Sequence, residues 1–124
     1  MAKILVTDDS MFMRNMIKTM IASEGYETCE AGNGKQMLEV YEKELPDVVT
    51  LDITMPEMDG LEALKLLRQK HPDAKVVMCS AMGQQAMVIE AVQAGAVNFL
   101  VKPFEKEKVV ETLHKIIGDI DLER

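Results

Sequence analysis

The chain has 124 residues, the size of one domain with one core, and its 48% hydrophobic content is enough to bury a sheet. A formal net charge of −7 without any Lys/Arg block argues against direct binding to nucleic acid or to an anionic membrane. No apolar run approaches membrane-spanning length and the N-terminus lacks a signal-peptide pattern, so no membrane insertion and a cytoplasmic location are expected.

Five short apolar runs alternate with five helical patterns. The first run, Ile4-Leu5-Val6, is followed by Asp8-Asp9-Ser10. Met13, Met16, Ile17, Met20 and Ile21 then repeat at the i, i+3, i+4 spacing of one buried helical stripe, which Gly25 closes. Residues 26–31 are more polar and read as an edge strand. Val48-Val49-Thr50-Leu51 is a third run, ending in Asp52, and Asp59 with Glu62 resembles a capping box before the third helix. Val76-Val77-Met78-Cys79 ends in Ser80. The fourth helix, over residues 84–94, carries apolar residues well round its circumference and Glu90 as its only charge. It is either buried more deeply than its neighbours or presents a partner surface of Met and small side chains. Gly95 fits its C-terminus. Residues 97–101 form the fifth run, followed by Lys102-Pro103, and Val109, Val110, Leu113, Ile116 and Ile117 mark the last helix. Residues 118–124 are expected to fray as a polar tail.

The runs of the first, third, fourth and fifth strands are near-continuous and β-branched, as expected for strands covered on both faces. The (βα)5 alternation predicts an α/β fold, a doubly wound parallel five-stranded sheet of flavodoxin-like order 2-1-3-4-5. Cys29 and Cys79 fall in strands that this order separates, so no disulfide is expected and a reducing compartment fits. Eleven methionines against no Trp suggest an adaptable core.

Ligands bind at the carboxyl ends of strands in such folds. There the order brings together Asp8, Asp9, Asp52, Ser80 and Lys102. Each has an ordinary use alone: Asp8, Asp9 and Ser10 as helix caps, Asp52 as a turn residue before Met55-Pro56, Ser80 as a loop hydroxyl, Lys102 as a solvated cation. Together they are three carboxylates, a hydroxyl and an ammonium in one crevice. Three adjacent carboxylates call for a hard divalent cation, and Mg2+ prefers a few carboxylates plus carbonyls, waters and phosphate oxygens. This is equipment for phosphoryl transfer with a carboxylate as nucleophile.

At these residues the sequence resembles the receiver domains of two-component signalling. The resemblance rests on Asp8-Asp9, on the segment from Leu51 through Asp52-Ile53-Thr54-Met55-Pro56 to Gly60, on Ser80-Ala81 and on Lys102-Pro103-Phe104. It spans residues 1–124 as a single receiver (response regulatory) domain, with no output domain expected. It implies that Asp52 is the phosphoacceptor and that Asp9, Asp52 and the Thr54 backbone carbonyl ligate Mg2+, with Asp8 acting through a metal-bound water. It further implies that Ser80 and Lys102 contact the phosphoryl group, that Ser80 and Phe99 form the switch, and that the Lys102–Pro103 bond is cis. Within the family the chain looks most like CheY-like chemotaxis response regulators of Gram-positive, thermophilic and archaeal type, through residues 79–88 and 10–14. Partners implied are a CheA-like histidine kinase, a flagellar or archaellar motor switch protein or chemotaxis adaptor, and a phosphatase. The chain is expected to be a monomer and to signal to the motor component through helix four, strand five and helix five.

Three positions depart from the best-known enteric pattern. Phe99 stands where Tyr is frequent, and Thr54 and Met82 occupy positions that tune the lifetime of the phosphorylated state. The same pocket suits a phosphorelay intermediate that hands its phosphoryl group to a histidine phosphotransferase. An aspartate-nucleophile phosphatase would need a second Asp where Thr54 stands. A product-forming enzyme is therefore not expected, only phosphoryl acceptance and autodephosphorylation.

Overall fold

The computed structural model describes residues 2–123. The elements run β1 (Lys3–Thr7), α1 (Met11–Ile21), a 3-10 turn (Ala22–Glu24), β2 (Glu27–Ala31), α2 (Gly34–Glu44), β3 (Val48–Asp52), α3 (Gly60–Lys70), β4 (Val76–Ser80), α4 (Gln85–Gln93), β5 (Asn98–Val101) and α5 (Lys106–Glu123). All neighbouring strands pair in parallel, in the order β2-β1-β3-β4-β5. This is the doubly wound, flavodoxin-like arrangement that the alternation predicts.

Successive strand residues face opposite sides of a sheet, and both sides are covered here. Leu5, Val49, Leu51, Val76 and Met78 face a core completed by Met37 and Tyr41 of α2, Leu64 and Leu67 of α3, and Val88 and Ala91 of α4. Ile4, Val6, Val48, Val77 and Cys79 face the other way, against Ile17 and Ile21 of α1 and Val109, Leu113 and Ile116 of α5. Fully burying one such aliphatic side chain stabilises by roughly 1.5–3 kcal/mol. This two-sided burial explains the near-continuous apolar runs of β1, β3 and β4.

The helix ends follow local chemistry. Ser10 caps α1 by accepting from the Met13 N–H, Asn33 caps α2 through Gln36, and Asp59 caps α3 through the Glu62 N–H at 2.8 Å. Gly25 and Gly95 take φ of 78° and 109° where the 3-10 turn and α4 end, in the left-handed region that glycine tolerates best. Cys29 and Cys79 are free thiols on strands separated by β1 and β3.

Three sequence expectations are corrected. Residues 118–123 do not fray: α5 continues to Glu123, and Ile117 and Ile120 are drawn against the α1-side core, which holds the last turns down. Arg124 lies outside the described residues. Next, β5 is not covered on both faces. It is an edge strand like β2, with Leu100 buried but Phe99 and Val101 exposed, since α4 buries Val88 and Ala91, packs Met87 partly against the core and leaves this edge open. Finally, Tyr26 and Val97 precede their strands rather than begin them. The Tyr26 ring instead stands edge-on to His114 of α5.

Candidate functional site

Parallel register places the ends of β1, β3, β4 and β5 at one level. Thr7 pairs with Leu51, Asp52 with Cys79, and Ser80 with Val101. The chain leaves each strand one or two residues later, so Asp8, Asp9, Asp52, Ser80 and Lys102 gather at one rim. The Lys102 N–H donates to the Ser80 carbonyl at 2.8 Å, and the Lys102–Pro103 bond is cis, as the resemblance implies. Asp52 is 4% exposed, Asp8 1% and Ser80 2%, whereas Asp9 is exposed and Lys102 partly buried, so the site has a buried polar floor and one carboxylate at its open side. Asp8 also takes the local role open to it: its Oδ1 accepts from the Ser10 N–H at 2.9 Å while Ser10 caps α1.

The electrostatics are those of a charge excess. Lys102 Nζ lies 3.2 Å from Asp52 Oδ1 and 3.5 Å from Asp8 Oδ2. Burial, and then the neighbouring Asp8 carboxylate, push Asp52 above the usual carboxylate range, although Lys102 and the Thr54 backbone N–H pull the other way. Burial draws Lys102 down, but Asp52 and Asp8 together hold it above its ordinary value. One ammonium therefore does not balance the group. Asp8 Oδ2 is buried without a hydrogen-bond partner. The carboxylates of Asp8, Asp9 and Asp52 each offer an oxygen, all within 4.8 Å of one another. A buried anionic oxygen with no hydrogen bond and only the 3.5 Å ion pair to Lys102, inside a cluster of hard donors with surplus negative charge, fits a divalent cation of the Mg2+ or Mn2+ kind.

The loops above the cluster are tied by Gln84, to which the sequence assigns a place at the head of helix four and in the 79–88 resemblance but no contact with the site. Gln84 Oε1 accepts from the Ala81 N–H and Gln84 Nε2 donates to Thr54 Oγ1, both at 2.7 Å. Thr54 is thus held on both sides, with its N–H toward Asp52 and its hydroxyl toward Gln84. The available signal was a long carboxamide four residues beyond Ser80, after a glycine turn, long enough to fold back over the site. Below the cluster, a Cβ at Gly60 would collide with the backbone carbonyl of Asp52, and the Gly60 N–H donates to the Ile53 carbonyl at 2.7 Å. The end of β3 and the start of α3 therefore approach more closely than any side chain permits.

Met82 and Phe99 stand outside the carboxylate cluster. Both line an open apolar groove of about 620 Å³ between α4 and β5, with Val88, Ile89, Val92 and Val101 as further walls. Ile89 is 59% exposed and Phe99 42%. The apolar circumference of the fourth helix thus serves two ends, a narrow core stripe and an exposed wall. Ser80 lies at the end of the groove nearest the carboxylates and connects the two regions.

Comparison with known proteins agrees with this geometry. The family of response regulator receiver domains matches residues 4–114. The chain is similar to the chemotaxis protein CheY of Thermotoga maritima, 53% identical over 92% of this chain and 96% of that one. It is likewise similar to the chemotaxis protein CheY of Listeria monocytogenes, 54% identical over 93% of this chain and 98% of that one. Among solved structures, the chemotaxis protein CheY4 of Vibrio cholerae superposes with a TM-score of 0.87 at 32% identity, over 94% of this chain and 98% of that one.

Proposed function

The chain belongs to the response regulator receiver domain family, and we propose that it is a chemotaxis response regulator that takes a phosphoryl group onto Asp52 and signals through the α4–β5 groove. The observation that carries this reading is the buried Asp52 carboxylate at the end of β3, 3.2 Å from Lys102 and inside the Asp8–Asp9 cluster.

The donor is a phosphohistidine of a CheA-like histidine kinase. An Asp52 carboxylate oxygen attacks phosphorus, the new O–P bond forms as the N–P bond breaks, and the leaving imidazole keeps the electron pair and takes up a proton. Asp9, Asp52 and the Thr54 carbonyl would hold Mg2+, with Asp8 reaching it through water. Bound there, the ion supplies the positive charge that lets an anionic nucleophile meet an anionic phosphoryl group. Lys102 stays paired with the Asp52 side as charge moves onto the phosphoryl oxygens, and it needs only a small displacement to follow them. Ser80, buried beside the cluster, donates its hydroxyl to a phosphoryl oxygen. Thr54 and Met82, on the two flanking loops, govern access of hydrolytic water and so the lifetime of the acyl phosphate.

Drawing Ser80 toward Asp52 opens space at the end of the groove that Ser80 and Phe99 both line, and Phe99 swings inward to fill it. The groove then changes shape for a motor switch protein or a chemotaxis adaptor. A 15N NMR titration with beryllofluoride, a stable mimic of the acyl phosphate, tests this in the presence of Mg2+. We expect large shifts at residues 52–54 and at residues 84–101. Shifts confined to the carboxylate end would separate phosphorylation from output and contradict the signalling half of the reading.

A further inference from the structure

Gln84 is bonded in three directions. Its backbone carbonyl accepts from the Met87 and Val88 N–H groups at 3.1 Å each, which starts α4. Its side-chain oxygen takes the Ala81 N–H and its side-chain nitrogen donates to the Thr54 hydroxyl. The side chain makes no capping bond to its own helix, so capping does not explain its position. It folds back over the site from Gly83, whose φ of 90° turns the chain there.

The Ala81 N–H is the backbone donor that directly follows buried Ser80 at the rim of β4. Backbone donors at such rims suit phosphoryl oxygens, and an anionic oxygen is roughly twice as strong an acceptor as a neutral carbonyl. A phosphoryl group on Asp52 would therefore compete with Gln84 for this N–H.

We propose that Gln84 is a positioning residue, a carboxamide latch that ties the β3–α3 loop to the β4–α4 loop in the unphosphorylated protein and releases Ala81 when Asp52 carries its phosphoryl group. The inference rests on the phosphoacceptor reading of Asp52. Because Gln84 is also the first carbonyl of α4, its release passes directly to the helix that walls the output groove. Any bond that stabilises only the unphosphorylated arrangement weakens binding to the other by the same factor.

The test is beryllofluoride affinity at saturating Mg2+, measured on the full chain and four variants. Gln84→Ala is expected to bind about fivefold tighter than wild type, the factor that one net hydrogen bond of about 1 kcal/mol represents. Thr54→Val is expected to tighten binding as well, and to have no effect when added to Gln84→Ala, since the shared bond is already gone. Gln84→Glu can accept from both the Ala81 N–H and the Thr54 hydroxyl, so it should bind no tighter than wild type. Mg2+ affinity without the mimic should be alike in wild type, Gln84→Ala and Gln84→Glu, because neither the carboxylates nor Thr54 is altered in them, whereas a merely loosened fold would lower it. Unchanged or weaker mimic binding by Gln84→Ala, or a Thr54→Val effect that survives in the double variant, overturns the latch. Wild type that binds no mimic overturns the phosphoacceptor reading and the latch with it; wild-type binding that Gln84→Ala leaves alone overturns the latch only.

Discussion

Asp52 and Asp8 lie buried side by side, and without a cation this proximity has an energetic sign. The folded protein holds the Asp52 carboxyl above its unfolded pKa, so the stability linked to it is full below the unfolded value and is lost as pH rises through the folded one. At neutral pH the metal-free protein therefore carries a penalty that Asp52→Asn removes. We expect the variant to be more stable than wild type in chelator, on the order of 1 kcal/mol, with the gap opening as pH rises through the carboxylate range. Thermal melts across pH check this, and a variant no more stable at neutral pH contradicts it. Cys79 gives a second prediction at this scale. Burial pushes its thiol up to about 12, so it should resist alkylation in the native state while half-buried Cys29 reacts slowly. Asp8, Asp9, Asp52, Ser80 and Lys102 were legible in the sequence because each ends an apolar run or lies within three residues of one. Gln84 was not, since its partners lie across two loops, and a folded-back carboxamide leaves no periodic trace.

At the scale of elements, the close approach of β3 and α3 depends on Gly60. Gly60→Ala is expected to destabilise by roughly 1–3 kcal/mol, the usual cost of overpacking, and also to slow phosphorylation, because the displaced backbone is that of Asp52 itself. Urea unfolding and labelling rates measured together check this; a variant altered in neither contradicts the packing described. The end of α5 was misjudged from sequence for a clear reason. Residues 118–123 are a glycine, three acids, Ile120 and Leu122, and Ile120, which with Ile117 holds these turns down, extends the Leu113-Ile116-Ile117 stripe only if the helix is taken to continue past Gly118. Ile120→Ala should cost about 1 kcal/mol in urea unfolding, less than a fully buried truncation because this residue is only partly covered. No measurable loss would mean the last turns contribute nothing to the fold. The β5 edge was misjudged differently: Phe99 and Val101 are as apolar as core residues, and only the sparing use of α4 for the core reveals them as walls of a groove.

Across the whole molecule, the two-sided sheet places a charged rim at one end and an apolar groove along one edge, joined by Ser80, while Gln84 ties together the two loops above the rim. The fold itself was legible because alternation and strand composition leave few topologies open, and the doubly wound order follows from short right-handed crossovers. The groove's final shape was not, since it depends on how far α4 lies from the sheet. Mg2+ should raise the melting temperature of the wild-type protein, as expected of an ion held by the folded cluster and not by the dispersed carboxylates of the unfolded chain. Asp52→Asn should reduce that increment, and a wild-type melt indifferent to Mg2+ would remove the metal site. The claim on which the rest depends is the destination of the phosphoryl group. The most direct measurement is to phosphorylate the protein with acetyl phosphate and Mg2+, trap the acyl phosphate by borohydride reduction, and map the modified residue by mass spectrometry. The account predicts modification at Asp52 that disappears without Mg2+ and in Asp52→Asn. No incorporation, or incorporation at another residue, would contradict it.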